Sequence, residues 1–325
     1  MTPRAIIAYV GVAALAAIFA TAAPRPAQAL SCTFSITNID FGTIDLTANT
    51  TFDTTGTLSI TCSGGTHNST ARICPNLNAG SGGSTTGDPR FLLNGTTRLN
   101  YNLYSDSART TVWGSYLWGF SQQAPTIDVA IANNGKGNGS ATIYARVNSA
   151  QQTLAPTTYS STFSGSNVQI AYAQSSAGTC AAIGATNSTS VTFTVTASYP
   201  ATCTISASAH AFGTVGILTS AKTATSTLSP TCSATTPYTI SLDGGTTGAT
   251  DPTQRKMSKG SERVTYGLYR DSARTQAWGS TSGVNTQGGT GSGSSQSFTV
   301  YGQVPIQSTP SPGAYSDTVV ATITY

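Results

Sequence analysis

Apolar and polar residues alternate with a period of two through much of the chain. Val191, Phe193, Val195, Ala197 and Tyr199 alternate with Thr192, Thr194, Thr196 and Ser198. Val319, Ala321, Ile323 and Tyr325 alternate with Val320, Thr322 and Thr324. Successive side chains of a strand point to opposite faces, so each run predicts a strand with one apolar face. Short strands separated by Gly- and Pro-rich turns predict a β-sandwich. No helical period is sustained beyond the first thirty or so residues.

The pattern occurs twice. Cys32 precedes Phe41-Gly42-Thr43 by nine residues, and Cys203 precedes Phe212-Gly213-Thr214 by nine. Leu58-Ser59-Ile60-Thr61-Cys62 then parallels Leu228-Ser229-Pro230-Thr231-Cys232. The block from Tyr101 to Ser115, YNLYSDSARTTVWGS, is matched by YGLYRDSARTQAWGS from Tyr266 to Ser280, with eleven of fifteen positions identical. Further on, Thr142-Ile143-Tyr144 parallels Thr299-Val300-Tyr301. Tyr159-Ser160 parallels Tyr315-Ser316, and Ile170-Ala171-Tyr172 parallels Ile323-Thr324-Tyr325. The expected fold is therefore all-β, with two sandwich domains in tandem.

Two segments set the copies apart. Val191 to Tyr199 follows copy one and has no counterpart after Tyr325. We read about 187–199, with Val191, Phe193 and Val195 facing inward, as the strand that closes copy one; the alternative is a first strand of copy two. Copy two is then expected to lack its final strand. Its acceptor edge is expected along Val319, Ala321, Ile323 and Tyr325.

Composition narrows the setting. Arg4, the apolar stretch from Ala5 to Ala20 and the small-residue site Ala27-Gln28-Ala29 read as an export signal over residues 1–29. That places the mature start at Leu30, with domains over 30–199 and 200–325. The charged fraction is 8%, far below the ~25% of ordinary soluble domains. Without Arg4 and Arg25, 13 basic residues stand against 11 acidic ones, a net charge of +2. This gives no electrostatic case for nucleic acid. Six cysteines in an exported chain favour disulfides. The repeated spacing pairs Cys32 with Cys62 and Cys203 with Cys232, and the count leaves Cys74 for Cys180. No Cys/His cluster suggests a metal, and no cofactor motif is present.

At the Cys…Phe-Gly-Thr…Thr-Cys pattern and the Tyr-x-Leu-Tyr-x-Asp-x-x-Arg-Thr-x-x-Trp-Gly block, both copies resemble the spore coat protein U domain family. That family includes pilins and tip adhesins of archaic chaperone–usher pili. The resemblance implies immunoglobulin-like sandwiches, the second incomplete and needing a donor strand. It implies a periplasmic chaperone, an outer-membrane usher and a shaft or adaptor pilin that donates the strand. Only Leu30 and Ser31 precede Cys32 in the expected mature chain, too little for a donor extension. The resemblance therefore implies the two-domain tip adhesin, exported through the periplasm to the cell surface and mediating attachment and biofilm formation.

Tyr116, Leu117, Trp118 and Phe120 form an apolar loop in copy one only. They are candidates for binding an apolar surface or an unknown receptor; the alternative is that they cover the sandwich end or pack on copy two. The repeated Asp-Ser-Ala-Arg, Asp106 to Arg109 and Asp271 to Arg274, reads as a structural turn with Asp and Arg pairing locally. Trp113 and Trp278 read as packing residues. No enzyme is expected. The two histidines, His67 and His210, lie in unrelated surroundings, Glu262 is the only glutamate, and no nucleophile elbow is apparent. A secreted self-assembling coat or carbohydrate-binding protein is the alternative function.

Overall fold

In the computed structural model, which describes residues 1–2, 29–85 and 88–325, two immunoglobulin-like β-sandwiches follow one another along the chain. The expected export signal falls almost wholly outside the described residues. The first sandwich comprises β1 (Ser31–Ile36), β2 (Ile39–Thr43), β3 (Phe52–Ser63), β4 (Ser69–Leu77), β5 (Arg90–Asn94), β6 (Thr97–Tyr104), β7 (Ile127–Ile131), β8 (Lys136–Val147), β9 (Thr157–Phe163), β10 (Val168–Gln174) and β11 (Phe193–Tyr199). The second comprises β12 (Cys203–Ala207), β13 (Lys222–Cys232), β14 (Pro237–Leu242), β15 (Arg255–Lys259), β16 (Glu262–Tyr269), β17 (Gln287–Thr290), β18 (Phe298–Val304) and β19 (Ala321–Thr324).

The two differ in one sheet. The first has an eight-stranded sheet, β1-β3-β8-β6-β5-β9-β11-β2, over a three-stranded sheet, β10-β4-β7. The second has five strands, β12-β13-β18-β16-β15, over β17-β14-β19. The shorter sheet contains no counterparts of β9, β11 and β2. The segments matching β9 and β2 in sequence, around Tyr315 and Phe212, lie outside named strands. One bridge survives: Ser258 pairs with Ser316 as Leu93 pairs with Ser160.

Alternation becomes burial as expected. Along β11, Phe193, Val195, Ala197 and Tyr199 are buried while the intervening Thr and Ser are half-buried. Cys32 lies opposite Cys62 in the β1–β3 register and Cys203 opposite Cys232 in β12–β13, and both pairs are disulfides. Cys74 of β4 bonds Cys180, the first residue of the short helix α1 (Cys180–Ile183) between β10 and β11. The repeated tryptophans are core residues. The Trp113 indole donates to the Pro75 carbonyl at 2.9 Å, and Trp278 donates to Ile240 at 3.0 Å.

The Asp-Ser-Ala-Arg turns correct one expectation. Asp106 accepts from the amides of Thr110 at 3.1 Å and Thr111 at 2.6 Å. Asp271 does the same for Thr275 and Gln276. The arginine amides close the turns on the aspartate carbonyls, but the guanidinium groups do not pair with the aspartate carboxylates. Arg109 and Arg274 have φ near +58° and +59°, which swings each side chain towards the neighbouring strand. Their Nε atoms donate to the Ala145 and Gly302 carbonyls, each at 3.2 Å. Arg109 also meets Asp53 at 3.3 Å.

Candidate functional site

In the first sandwich β11 runs antiparallel to β9 and parallel to β2. The repeated Phe-Gly-Thr motif has a local reason here. The β2–β11 register slips between Thr196 and Ser198, beside Gly42, whose φ of +65° is readily adopted by glycine. Beyond the bulge, the Ile44 amide donates to the Ser198 carbonyl at 2.9 Å. Phe193 stacks on Phe163 with centroids 4.5 Å apart. Burying Phe193 and Val195 stabilises this closure by about 1.5–3 kcal/mol each.

The second sandwich keeps the walls without the strand between them. Gly213 repeats the conformation of Gly42 at φ +72°. The Tyr315 hydroxyl lies 2.9 Å from the Ser311 carbonyl, as the Tyr159 hydroxyl lies 2.7 Å from that of Ala155. Between these walls lies a cleft of about 1180 Å³, lined by apolar side chains that include Phe212, Leu228, Met257, Val264 and Val319. Tyr159, Ser161 and Phe163 are fully buried, whereas the matching Tyr315, Asp317 and Val319 are half-buried. Ile44 is 1% exposed and its counterpart Val215 40%; Leu46 is 3% exposed and Ile217 67%. The surface that β11 covers in one copy is open in the other.

The edge expected along Val319 to Tyr325 coincides with this cleft only in part. Val319 and Ala321 line it. Ile323 pairs with Ile240 in β14 and packs on the core, and Tyr325 is exposed outside the cleft. The opening runs between 212–214 and 314–319 because β19 belongs to the opposite sheet.

The apolar loop of copy one is anchored from below. Buried Asn76 accepts from the Tyr116 amide at 2.8 Å and from the Ser115 hydroxyl at 3.1 Å. That hydroxyl in turn accepts from the amides of Leu117 and Trp118. Tyr116 packs on the Cys74–Cys180 cluster, and Phe120 lies under the Arg90 guanidinium at 4.3 Å. All four aromatic and aliphatic side chains are half-buried, so Leu117 and Trp118 offer the loop's remaining apolar surface.

Two core residues escaped sequence reasoning. Arg90 and Arg255 are fully buried and donate to main-chain carbonyls. Burial pulls Arg90 down to about 10, which leaves it charged at neutral pH. The available signal was spacing: each arginine precedes the shared tryptophan by 23 residues.

Comparison with known proteins places this architecture. A sequence model of the Spore Coat Protein U domain matches residues 17–165 and 189–322. Protein U of Myxococcus xanthus is 38% identical over 81 residues, 25% of this chain and 45% of that protein, so the chain matches less than half of that relative's length. Among solved structures, the CsuC–CsuE chaperone–tip adhesion subunit pre-assembly complex of Acinetobacter baumannii aligns with 91% of this chain and 100% of the matched one, with a TM-score of 0.54 and 17% identity. That likeness is one of fold. The CupB6 tip adhesin of Pseudomonas aeruginosa aligns with 91% of this chain and 94% of its own, with a TM-score of 0.36 and 12% identity.

Proposed function

The chain belongs to the Spore Coat Protein U domain family, and on that footing we propose that it is the adhesive tip subunit of a surface pilus assembled by donor-strand complementation. One observation carries the reading: the cleft of the second sandwich occupies the place that β11 fills in the first. In this reading, residues 30–199 form a sandwich closed by its own strand, and residues 200–325 form one completed by a strand of a shaft or adaptor pilin. Adding a strand along open backbone edges is β-augmentation. Before assembly, exposed Val215 and Ile217 need cover, the task of a periplasmic chaperone. An outer-membrane usher then exchanges chaperone for pilin. The fold similarity to a chaperone-bound tip subunit supports this sequence of partners.

Export fits the six paired cysteines, which suit an oxidising compartment. Copy one then faces outward and presents Leu117 and Trp118, flanked by Tyr116 and Phe120, to an apolar surface, which would support attachment and biofilm formation. The role is adhesive and structural rather than enzymatic. Co-expression with the shaft pilin followed by immunogold labelling tests it. Gold confined to fibre ends is expected, and gold spread along the shaft would overturn the tip assignment.

A further inference from the structure

In the first sandwich Val195 lies in register with Ser161 of β9 on one side and Ile39 of β2 on the other. All three side chains are fully buried. The Ser161 hydroxyl is engaged by the Gly82 amide at 3.0 Å, so the slot around Val195 presents little free polarity. At the same two positions the second sandwich carries Asp317 and His210, and both line its cleft.

Neighbouring positions have changed with them. Ile39 packs over Gly56, where an added Cβ would lie 2.6 Å from Ile39 Cγ1. The position of Gly56 is Ser226 in copy two, and His210 Nδ1 lies 2.8 Å from its hydroxyl. The position of Ala145 is Gly302 in copy two, where an added Cβ would lie 2.0 Å from His210 Nε2. Ser226 therefore gives the imidazole a partner, and Gly302 gives it room. Nε2 is enclosed with no hydrogen-bond partner among the described residues. Asp317 Oδ2 accepts from the Tyr266 hydroxyl at 2.8 Å, while Oδ1 accepts from the amides of Thr246 and Thr318. Oδ2 keeps capacity for a further donor.

We propose that Asp317, across the cleft wall from His210, forms a polar notch that selects a hydroxyl-bearing residue in the incoming strand, at the level where β11 carries Val195. The inference rests on the reading that this cleft accepts a strand from another chain. An aliphatic residue there would cover the Asp317 carboxylate without bonding it, which is costly. A hydroxyl can donate to the remaining lone pair of Asp317 Oδ2. Burial holds His210 below its ordinary pKa, which favours the neutral ring. Threonine is nearly isosteric with valine and isolates the hydroxyl.

The test uses the full chain from Leu30 and two peptides, the strand Thr192–Pro200 and its Val195→Thr analogue, with affinities from isothermal titration calorimetry. The threonine peptide is expected to bind about ten-fold more tightly, equivalent to about 1.4 kcal/mol. In the H210I/S226G/G302A/D317S variant, which copies the first sandwich, the valine peptide is expected to bind more tightly. If that variant does not fold, the comparison on the native chain decides alone. Equal or tighter binding of the valine peptide to the native chain would overturn the notch and leave strand docking standing. No binding of either peptide would overturn strand docking itself, and the notch with it.

Discussion

The Arg90 guanidinium donates through Nη2 to the Trp113 carbonyl at 2.7 Å, inside the core of the first sandwich. Arg255 repeats the bond to Trp278 at 2.8 Å. Each arginine also reaches the end of the facing three-stranded sheet: Arg90 bonds the carbonyls of Leu77 and Asn78, and Arg255 those of Leu242 and Asp243. One planar fork thus joins two sheets and the shared tryptophan segment.

Arg90→Ala removes the donors and leaves the buried carbonyls of Leu77 and Trp113 and the half-buried one of Asn78 without this partner. The expected cost is about 3–5 kcal/mol. Arg90→Lys should recover little, because an ammonium cannot reproduce the fork. Urea unfolding followed by tryptophan fluorescence checks this. The transition of the first sandwich should move to lower urea while that of the second stays in place. An unmoved first transition would contradict the clamp.

Removing the Cys74–Cys180 bridge should loosen the approach to β11. The bridge closes a sequence separation of 106 residues, for which loop-closure entropy gives about 4–5 kcal/mol. The C74S/C180S variant should lose about that much stability in the first sandwich and expose the β11 segment to limited proteolysis. Unchanged protease resistance would show that packing alone holds the strand.

Acid should weaken the second sandwich at a defined place. Glu262 accepts from the Ser311 hydroxyl, the Ser311 amide at 3.0 Å and the Tyr315 hydroxyl at 3.0 Å. These bonds, led by that of the Ser311 hydroxyl, with Lys259 nearby, hold its carboxyl down to about 2. A carboxylate whose folded pKa is depressed contributes stability fully above its unfolded pKa. That contribution is lost as pH falls through the folded value. The window therefore runs from about 4.5 down to about 2. Stability measured across it should fall less steeply in Glu262→Gln than in the native chain, and identical slopes would contradict the assignment.

The apolar loop divides into anchored and offered residues. L117T/W118T should reduce attachment to polystyrene several-fold while leaving the thermal transition within about 0.5 kcal/mol of native. Phe120→Thr should instead lower stability, since its ring covers Arg90. Attachment equal to native in the double variant would remove this loop as the contact surface.

Much of the architecture was legible because repetition and alternation are local signals. The paired cysteines, the strands and the shared tryptophan block could all be read directly. The position of the cleft could not. Alternation tells which face of Val319 to Tyr325 is apolar, but it does not tell which strand lies beside it. β11 reaches its partners across sequence gaps of about thirty residues to β9 and more than 150 to β2. The buried arginines were hidden because arginine is ordinarily exposed. The Asp-Ser-Ala-Arg turn was recognised, yet the positive φ at Arg109 redirected a pairing that sequence proximity suggested.

The most direct test of the open cleft is hydrogen–deuterium exchange of the chain from Leu30, with and without excess Thr192–Pro200 peptide. Amides of 214–217 and of Ala314, Tyr315, Asp317 and Val319 should exchange rapidly alone and slow markedly with peptide, while those of the first sandwich stay unchanged. Slow exchange at those cleft amides without peptide, or no change on adding it, would contradict the account.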